Sequence, residues 1–130
     1  MSMYEHKLRI GMGQVDAAGV VFAPRLLEMA HAVYEAFLVT HGWSARHILD
    51  GGWALPIVHM EADFHKPIHL DDEVSVLMGL VTLGESSLTL EYSFFRDGEL
   101  TASAKSVHVA IRNGVKRPLP EALAALFVQE

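Results

Sequence analysis

The sequence contains no cysteine among its 130 residues. This excludes disulfide bonds, thiolate metal sites and a cysteine nucleophile, and it is typical of proteins from a reducing compartment. Basic residues are also few, since ten Lys and Arg stand against sixteen Asp and Glu and the formal net charge is -6. Because nucleic-acid phosphates bind basic surfaces, we expect no nucleic acid among the partners.

Long apolar runs and several catalytic motifs are absent as well. No segment is apolar for long enough to cross a bilayer, and MSMYEHKLRI at the start lacks the apolar core of a signal peptide. We therefore expect a soluble, cytoplasmic protein with no membrane partner. The lack of G-x-S-x-G and G-x-x-x-x-G-K-[ST] argues against a serine hydrolase and against nucleotide triphosphate chemistry. His65 and His69 are the only close histidine pair, and no third ligand follows at a recognisable spacing, so we expect no metal.

Hydrophobic residues, by contrast, make up 51% of the chain. That is enough for the core of one domain, which we expect to span residues 1–130. The fraction is high for a small monomer, and it suggests that some apolar surface is buried against another copy of the chain.

The residue pattern predicts one long buried helix among several strands. Pro24 suits the first helical position, apolar residues recur at helical spacing as far as Leu38, and Gly42 ends the helix. One strand precedes this helix, and the later part of the chain favours strands at 53–67 and 72–83 and a hairpin around Asp97-Gly98. Since helix and strands are segregated along the chain, we predict an α+β fold in which a single curved antiparallel sheet wraps around one long buried helix.

Three stretches resemble the hot-dog-fold acyl-CoA thioesterases of the 4-hydroxybenzoyl-CoA thioesterase group. They are DAAGVVFAP at 16–24, EMAHAVYEAFL at 28–38 and WALPIVHMEADFHKPIHLDDEV at 53–74. Within this group the chain is most similar to the 1,4-dihydroxy-2-naphthoyl-CoA hydrolases of quinone biosynthesis. The resemblance implies hydrolysis of an aromatic acyl-CoA, with coenzyme A as part of the substrate and no separate cofactor. It also implies that protomers pair side by side into one long sheet, as a homodimer or homotetramer with active sites at the interface.

Asp16 is the main candidate for a catalytic residue. The resemblance implies that it acts as the nucleophile or as a general base for water, and it leaves these two roles open. At the start of the helix, the N–H of Ala23 is the candidate for polarising the thioester carbonyl, because the next residue is a proline. Gly19 allows the connector to turn back, and Val20 and Phe22 would keep the site dry. Spacing alone equally allows Asp16 to be a turn or capping residue.

Three further residues are candidates for substrate binding. His31 and Glu35 share a polar stripe of the helix with Glu28, and this stripe either lines a pocket or faces solvent. A rival enzyme on the same fold, an acyl-thioester hydratase, would use His31 and Glu35 as its catalytic pair. His59 follows ALPIV and either points into the pocket or is satisfied by a neighbour on its strand.

Arg112, Lys116 and Arg117 cluster in RNGVKRP, after the last long strand. In an acidic chain this cluster could bind the phosphates of coenzyme A, although a solvated turn explains it as well. Other readings of the function also stay open at this point. One is a thioesterase for 4-hydroxybenzoyl-CoA-like or short-chain acyl-CoAs, and another is a module that binds acyl-CoA without catalysis.

Overall fold

The computed structural model describes residues 3–128. In chain order the elements are β1 (Met3–Arg9), a 3₁₀ turn (Met12–Gln14), α1 (Ala23–Thr40), α2 (Ala45–Asp50), β2 (Trp53–Ala54), β3 (Ile57–Phe64), β4 (Glu73–Leu83), β5 (Ser87–Arg96), β6 (Glu99–Val109), β7 (Ile111–Arg112), β8 (Val115–Lys116) and α3 (Glu121–Leu126). Five strands form an antiparallel sheet in the order β1-β4-β5-β6-β3.

Among residues 3–128, no helix combines the length and the apolar character that crossing a bilayer requires. The cytoplasmic location stays a prediction.

The core lies between α1 and one face of the five-stranded sheet. From α1, seven side chains are buried: Leu26, Met29, Ala30, Val33, Tyr34, Phe37 and Leu38. From β5, every second side chain is buried: Leu88, Leu90, Tyr92 and Phe94. Side chains that recur every 3.6 residues on the helix thus pack against side chains that recur every second residue on the strand, as the sequence predicted. The predicted arrangement of an antiparallel sheet packed on one long buried helix is confirmed.

The first turn of α1 begins one residue earlier than predicted. Phe22 is extended and caps the helix, because its carbonyl accepts hydrogen bonds from the amides of Arg25 and Leu26 at 3.0 and 3.1 Å. Ala23 is therefore the first helical residue and Pro24 the second. Neither position has an acceptor within the helix for its N–H, so proline is tolerated at both. The predicted stop is confirmed, since α1 ends at Thr40 and Gly42 has a φ of 81°.

The prediction of one long strand over 53–67 is wrong. The structure divides this stretch into β2 and β3, which pair with different partners. Pro56 lies between them, and a proline has no N–H to continue a ladder of hydrogen bonds. β2 instead joins β7 and β8 in a second, three-stranded sheet that was not predicted. Its hairpin turns at Asn113 and Gly114, whose φ values of 50° and 82° suit a two-residue turn.

The predicted hairpin at Asp97-Gly98 is confirmed and joins β5 to β6, with φ values of 51° and 77° in its turn. β1 and β3 form the two edges of the five-stranded sheet. On β3, Val58 and Phe64 are exposed, with 59% and 40% of their surface accessible. An exposed edge strand with apolar side chains is a surface on which another strand can pair.

Candidate active site

Asp16 lies on an exposed loop of residues 16–20 that its own carboxylate holds in shape. Its Oδ1 accepts hydrogen bonds from the amides of Ala18 at 2.8 Å and Val20 at 3.2 Å. The Asp16 amide donates to the Val20 carbonyl at 2.9 Å, and the Gly19 amide donates to the Asp16 carbonyl at 3.0 Å. Gly19 has a φ of 77°, a conformation that glycine adopts without steric cost. The turn role that the spacing allowed is therefore present.

This turn engages one oxygen of the carboxylate and leaves the other. Within residues 3–128, the structure gives Oδ2 of Asp16 no hydrogen-bond donor. The residue is also exposed, so solvent reaches it. The geometry thus combines a fixed carboxylate with a second oxygen that can face a reacting group. Its catalytic role stays a prediction.

The Asp16 loop is attached to the segment that connects β3 to β4. The Val21 amide donates to the Ile68 carbonyl at 2.8 Å, and the Leu70 amide donates to the Gly19 carbonyl at 3.0 Å. Two residues further along the chain from Val21, α1 begins. The same short segment therefore fixes both the loop that carries Asp16 and the entry into the helix.

The start of α1 is electropositive. The N–H of Ala23 has no acceptor within the helix, and the helix dipole adds a partial positive charge at this end. Arg25 lies in the same turn, where its guanidinium is 5.6 Å from the Phe22 ring centroid and forms an ion pair with Glu28. An N–H at such a position can stabilise negative charge that develops on a carbonyl oxygen.

Two clefts run along α1 and share His31 and Glu35. The first has a volume of about 460 Å³ and is lined by Pro24, Leu27, Glu28, His31, Ala32, Glu35, Ile57 and Met60. The second has a volume of about 350 Å³ and is lined by His31, Tyr34, Glu35, Leu38, Ala45, Ile48, Leu49, Ala54, Leu55 and Pro56. Together they make a mostly apolar trough, which extends from the first turn of α1 to α2. We call this the α1 trough.

Asp16, Gly19, Val20 and Phe22 are not among the residues that line the α1 trough. Within one protomer, the trough is thus lined by residues other than those of the Asp16 loop.

His59 lies outside the α1 trough as well. It is exposed on β3, and its Nε2 is 3.1 Å from the Glu61 carboxylate. Met60, the next residue, lines the trough instead. Because successive side chains of a strand point to opposite faces, His59 and Met60 cannot both line the α1 trough. The sequence allowed His59 either to enter the pocket or to be satisfied by a neighbour on its strand. The structure shows the second arrangement, with Glu61 as the neighbour.

The three basic residues of RNGVKRP surround the hairpin of β7 and β8. Arg112 pairs with Val115, Lys116 pairs with Ile111, and the Arg117 amide donates to the Ala110 carbonyl at 3.1 Å. Residues opposite each other in a ladder share a face and successive ones alternate, so Arg112 and Arg117 share one face and Lys116 takes the other. Arg112 also lies over Trp53, 5.6 Å from its ring centroid.

A buried polar cluster under the α1 trough was missed in the sequence. The Tyr34 ring packs against the His108 ring, and Ser106 Oγ lies 2.8 Å from both the Tyr92 hydroxyl and His108 Nε2. The strand alternation of β6 could have found it, since Ala102 and Ala104 place Ser106 and His108 on the buried face.

Burial controls the ionisation of this cluster. It lowers the pKa of His108 to about 4, although the Leu55 carbonyl raises it, and the nearby charge of His31 lowers it further. Burial raises the pKa of Tyr92 to about 12 and also raises the pKa of Tyr34. His108 is therefore neutral at pH 7. Within residues 3–128, no group of three or more His, Asp or Glu side chains could hold a metal ion, and the expectation that no metal is needed stays a prediction.

Comparison with known proteins identifies the family of this chain. Residues 10–127 match the Thioesterase-like superfamily. The chain is 31% identical over 127 residues to the 1,4-dihydroxy-2-naphthoyl-CoA hydrolase of Synechococcus elongatus, covering 95% of this chain and 93% of that protein. It is 32% identical over 117 residues to the hydrolase of the same name from Microcystis aeruginosa, covering 88% of this chain and 85% of that protein.

Solved structures agree with these relatives. A 1,4-dihydroxy-2-naphthoyl-CoA thioesterase from Synechocystis matches with a TM-score of 0.90 at 27% identity, covering 97% of this chain and 96% of that chain. A gentisyl-coenzyme A thioesterase matches with a TM-score of 0.87 at 26% identity, covering 96% of this chain and 100% of that chain. The predicted hot-dog fold and the predicted enzyme class, a hydrolase of acyl-CoA thioesters, are confirmed. This chain belongs to the Thioesterase-like superfamily.

Proposed function

We propose that this protein hydrolyses 1,4-dihydroxy-2-naphthoyl-CoA, an aromatic acyl thioester, to the free acid and coenzyme A in quinone biosynthesis. The names of its relatives support this substrate. Two observations support the chemistry: an exposed Asp16 carboxylate held in shape by its own loop, and an Ala23 N–H at the start of α1 that has no acceptor within the helix. Residues 68–70 hold both the Asp16 loop, through the Gly19 carbonyl, and the entry into α1, through the Val21 amide.

In the proposed reaction, the thioester carbonyl oxygen accepts a hydrogen bond from the Ala23 amide. The carbonyl carbon is then attacked either by Oδ2 of Asp16 or by a water molecule from which Asp16 takes a proton. The negative charge that develops on the oxygen is stabilised by the amide and by the helix dipole. A C–O bond forms, the C–S bond breaks, and the coenzyme A thiolate leaves and takes up a proton. Where Asp16 is the nucleophile, water hydrolyses the resulting anhydride in a second step.

We assign the acyl group to the α1 trough. Its walls are mostly apolar, which suits a naphthalene ring, and His31 and Glu35 are polar groups that can bind ring hydroxyls. For the coenzyme A phosphates we propose Arg112 and Arg117, because they share a face of the β7–β8 hairpin. Lys116 lies on the other face of the hairpin, so it would act on the phosphates only through its longer-range positive charge.

We also propose that the active enzyme is a homodimer in which two β3 strands pair across the exposed sheet edge, with a tetramer as a further assembly. Val58 and Phe64 provide apolar surface on this edge. The Asp16 carboxylate lies outside the trough of its own protomer. A partner packed along β3 would bring a second α1 trough near each loop and complete the site.

The test is thiol release from a panel of acyl-CoAs, with Asp16→Asn as the variant and Asp71→Asn as the control. The chain has no cysteine, so every thiol that reacts with the dye comes from the product. We expect aromatic acyl-CoAs to exceed aliphatic ones in kcat/KM and Asp16→Asn to lower kcat roughly several hundredfold. Asp71 is an exposed aspartate outside the loop, so its variant should keep wild-type turnover. Turnover near wild type in Asp16→Asn would end the catalytic assignment.

A further inference from the structure

Arg96, at the end of β5, holds the segment that supports the Asp16 loop. Its Nη1 donates to the Pro67 carbonyl and to Asp72 Oδ2, both at 2.9 Å. The side chains of Arg96 and Asp72 are 23% and 22% exposed, so this ion pair is largely shielded from solvent. A guanidinium presents its N–H groups in a planar, rigid fork, which favours two acceptors at fixed positions.

Asp72 ties the same segment into a closed turn. Its Oδ2 also accepts the His69 amide at 2.8 Å, and the Asp72 amide donates to the His69 carbonyl at 3.1 Å. Partial burial raises the pKa of Asp72. The hydrogen bonds from the His69 amide and the Arg96 guanidinium, and the charges of the Arg96 and His69 side chains, outweigh this effect and hold the pKa below its usual value. Asp72 is therefore ionised at neutral pH and keeps its pair with Arg96.

The opposite side of this segment carries the Asp16 loop. Pro67 offers its carbonyl to Arg96, and the next residue, Ile68, offers its carbonyl to the Val21 amide. In extended backbone, successive carbonyls point to opposite sides. Two residues later the Leu70 amide donates to the Gly19 carbonyl. A continuous set of hydrogen bonds thus connects the Arg96 guanidinium to the loop that places the Asp16 carboxylate.

We propose that Arg96 and Asp72 are positioning residues for the Asp16 carboxylate in thioester hydrolysis. The inference rests on the proposed function, because it takes Asp16 as the catalytic acid. An exposed five-residue loop has little packing of its own and opens locally unless its neighbours hold it. Misplacing a catalytic group by about 1 Å can cost on the order of 100-fold in rate, so the support under the loop is part of the catalytic geometry.

The test compares Arg96→Gln and Asp72→Asn with Asp71→Asn. The control sits in the same turn, and its residue pairs with Arg9 on the surface at 3.1 Å without contacting the loop. We expect Arg96→Gln and Asp72→Asn to lower kcat roughly 10- to 100-fold while KM changes little. We also expect the Val21 and Leu70 amides to exchange hydrogen faster in both variants, whereas in the control both amides should exchange at the wild-type rate. If Arg96→Gln fails to fold, Asp72→Asn carries the test, because asparagine keeps an acceptor for the His69 amide.

A double variant separates positioning from a general effect on the fold. In an Asp16→Asn background, Arg96→Gln should cause no further loss of kcat, because the group that it positions is gone. An equal second loss would overturn the positioning role, and so would unchanged exchange at Val21 and Leu70. Folded Arg96→Gln with wild-type kcat would overturn it as well. High turnover in Asp16→Asn alone would instead refute the proposed function, while the exchange rates would still report on the support of the loop.

Discussion

Tyr34 of α1 and His108 of β6 pack against each other in the core, with their ring centroids 4.4 Å apart and their planes 30° apart. Both are buried, at 5% and 1% exposure. His108 has a hydrogen-bond partner in Ser106, whereas within residues 3–128 the Tyr34 hydroxyl has none. The buried polar cluster between helix and sheet therefore contains both hydrogen-bonded groups and one hydroxyl without a partner among these residues, and removal of these groups should affect stability differently.

Two Tyr→Phe variants should have opposite effects on the free energy of unfolding. Tyr34→Phe removes a buried hydroxyl that has no partner among the described residues, so stability should stay level or rise by about 1 kcal/mol. Tyr92→Phe removes the 2.8 Å hydrogen bond to Ser106 and should lower stability by about 1 kcal/mol. Urea unfolding of both variants gives the comparison. A larger loss for Tyr34→Phe than for Tyr92→Phe would contradict this account.

His108 should make the folded state sensitive to acid. Its pKa is about 4 in the folded protein and near 6.5 when unfolded. Between these values the unfolded chain binds a proton that the native state does not, so the free energy of unfolding falls as the pH falls from about 6.5 to about 4. The loss from this group is at most about 3 kcal/mol. Below pH 4 both states are protonated and the contribution of His108 stops changing.

The matched variants for this effect are His108→Gln and His65→Gln. Glutamine cannot titrate, so His108→Gln should flatten the slope of stability against pH between about 4 and 6.5. His65 is an exposed histidine and its variant should keep the wild-type slope. Urea unfolding at several pH values measures both, and equal slopes in wild type and His108→Gln would rule out His108 as the cause.

His31→Ala separates hydrolysis from hydration. His31 lies where the two parts of the α1 trough meet, and in the proposed hydrolysis it binds the acyl group without taking part in bond breaking. The variant should raise KM for aromatic acyl-CoA and keep most of kcat. An acyl-thioester hydratase would lose its activity completely, because His31 would be half of its catalytic pair. Thiol release and loss of the enoyl absorbance distinguish the two reactions.

Two Val→Asp variants test the proposed pairing of protomers through β3. Val58 and Val81 are both exposed valines on strands, at 59% and 44% exposure, but only Val58 lies on β3. Val58→Asp should shift the mass in sedimentation toward the monomer and lower activity with it, since burying an unpaired charge is costly. Val81→Asp should keep the wild-type mass. A monomeric wild-type protein with full activity would refute the proposed dimer.

Local signals in the sequence predicted the parts of the fold that depend on neighbouring residues. Helical spacing and Pro24 located α1, and Asp97-Gly98 located the hairpin of β5 and β6. The second sheet escaped prediction because its strands have two residues each, too few for a periodic pattern. Pro56 was visible in the sequence, but the separate partners of β2 and β3 were not.

In the candidate site, too, features set by neighbouring residues could be predicted and features set by distant residues could not. Asp16 and Ala23 are seven residues apart, so their connection could be inferred from one stretch of chain. The support under the loop depends on Arg96 and on Pro67 and Asp72, which come from distant parts of the sequence. Nothing in the spacing of those residues indicates that they meet. The membership of His31 and Glu35 in a trough likewise required α2 and β3 to be placed.

α2 closes one end of the α1 trough through Ala45, Ile48 and Leu49, yet it has no hydrogen bond to the Asp16 loop or to residues 67–72. In the proposed site, the groups that break the thioester bond and the wall that receives the acyl group thus belong to different pieces of the molecule. Exchanging side chains on this six-residue helix offers a route to new acyl preferences in which the hydrolytic apparatus is left untouched. Directed evolution toward other thioesters would accordingly start at Ala45 and Leu49.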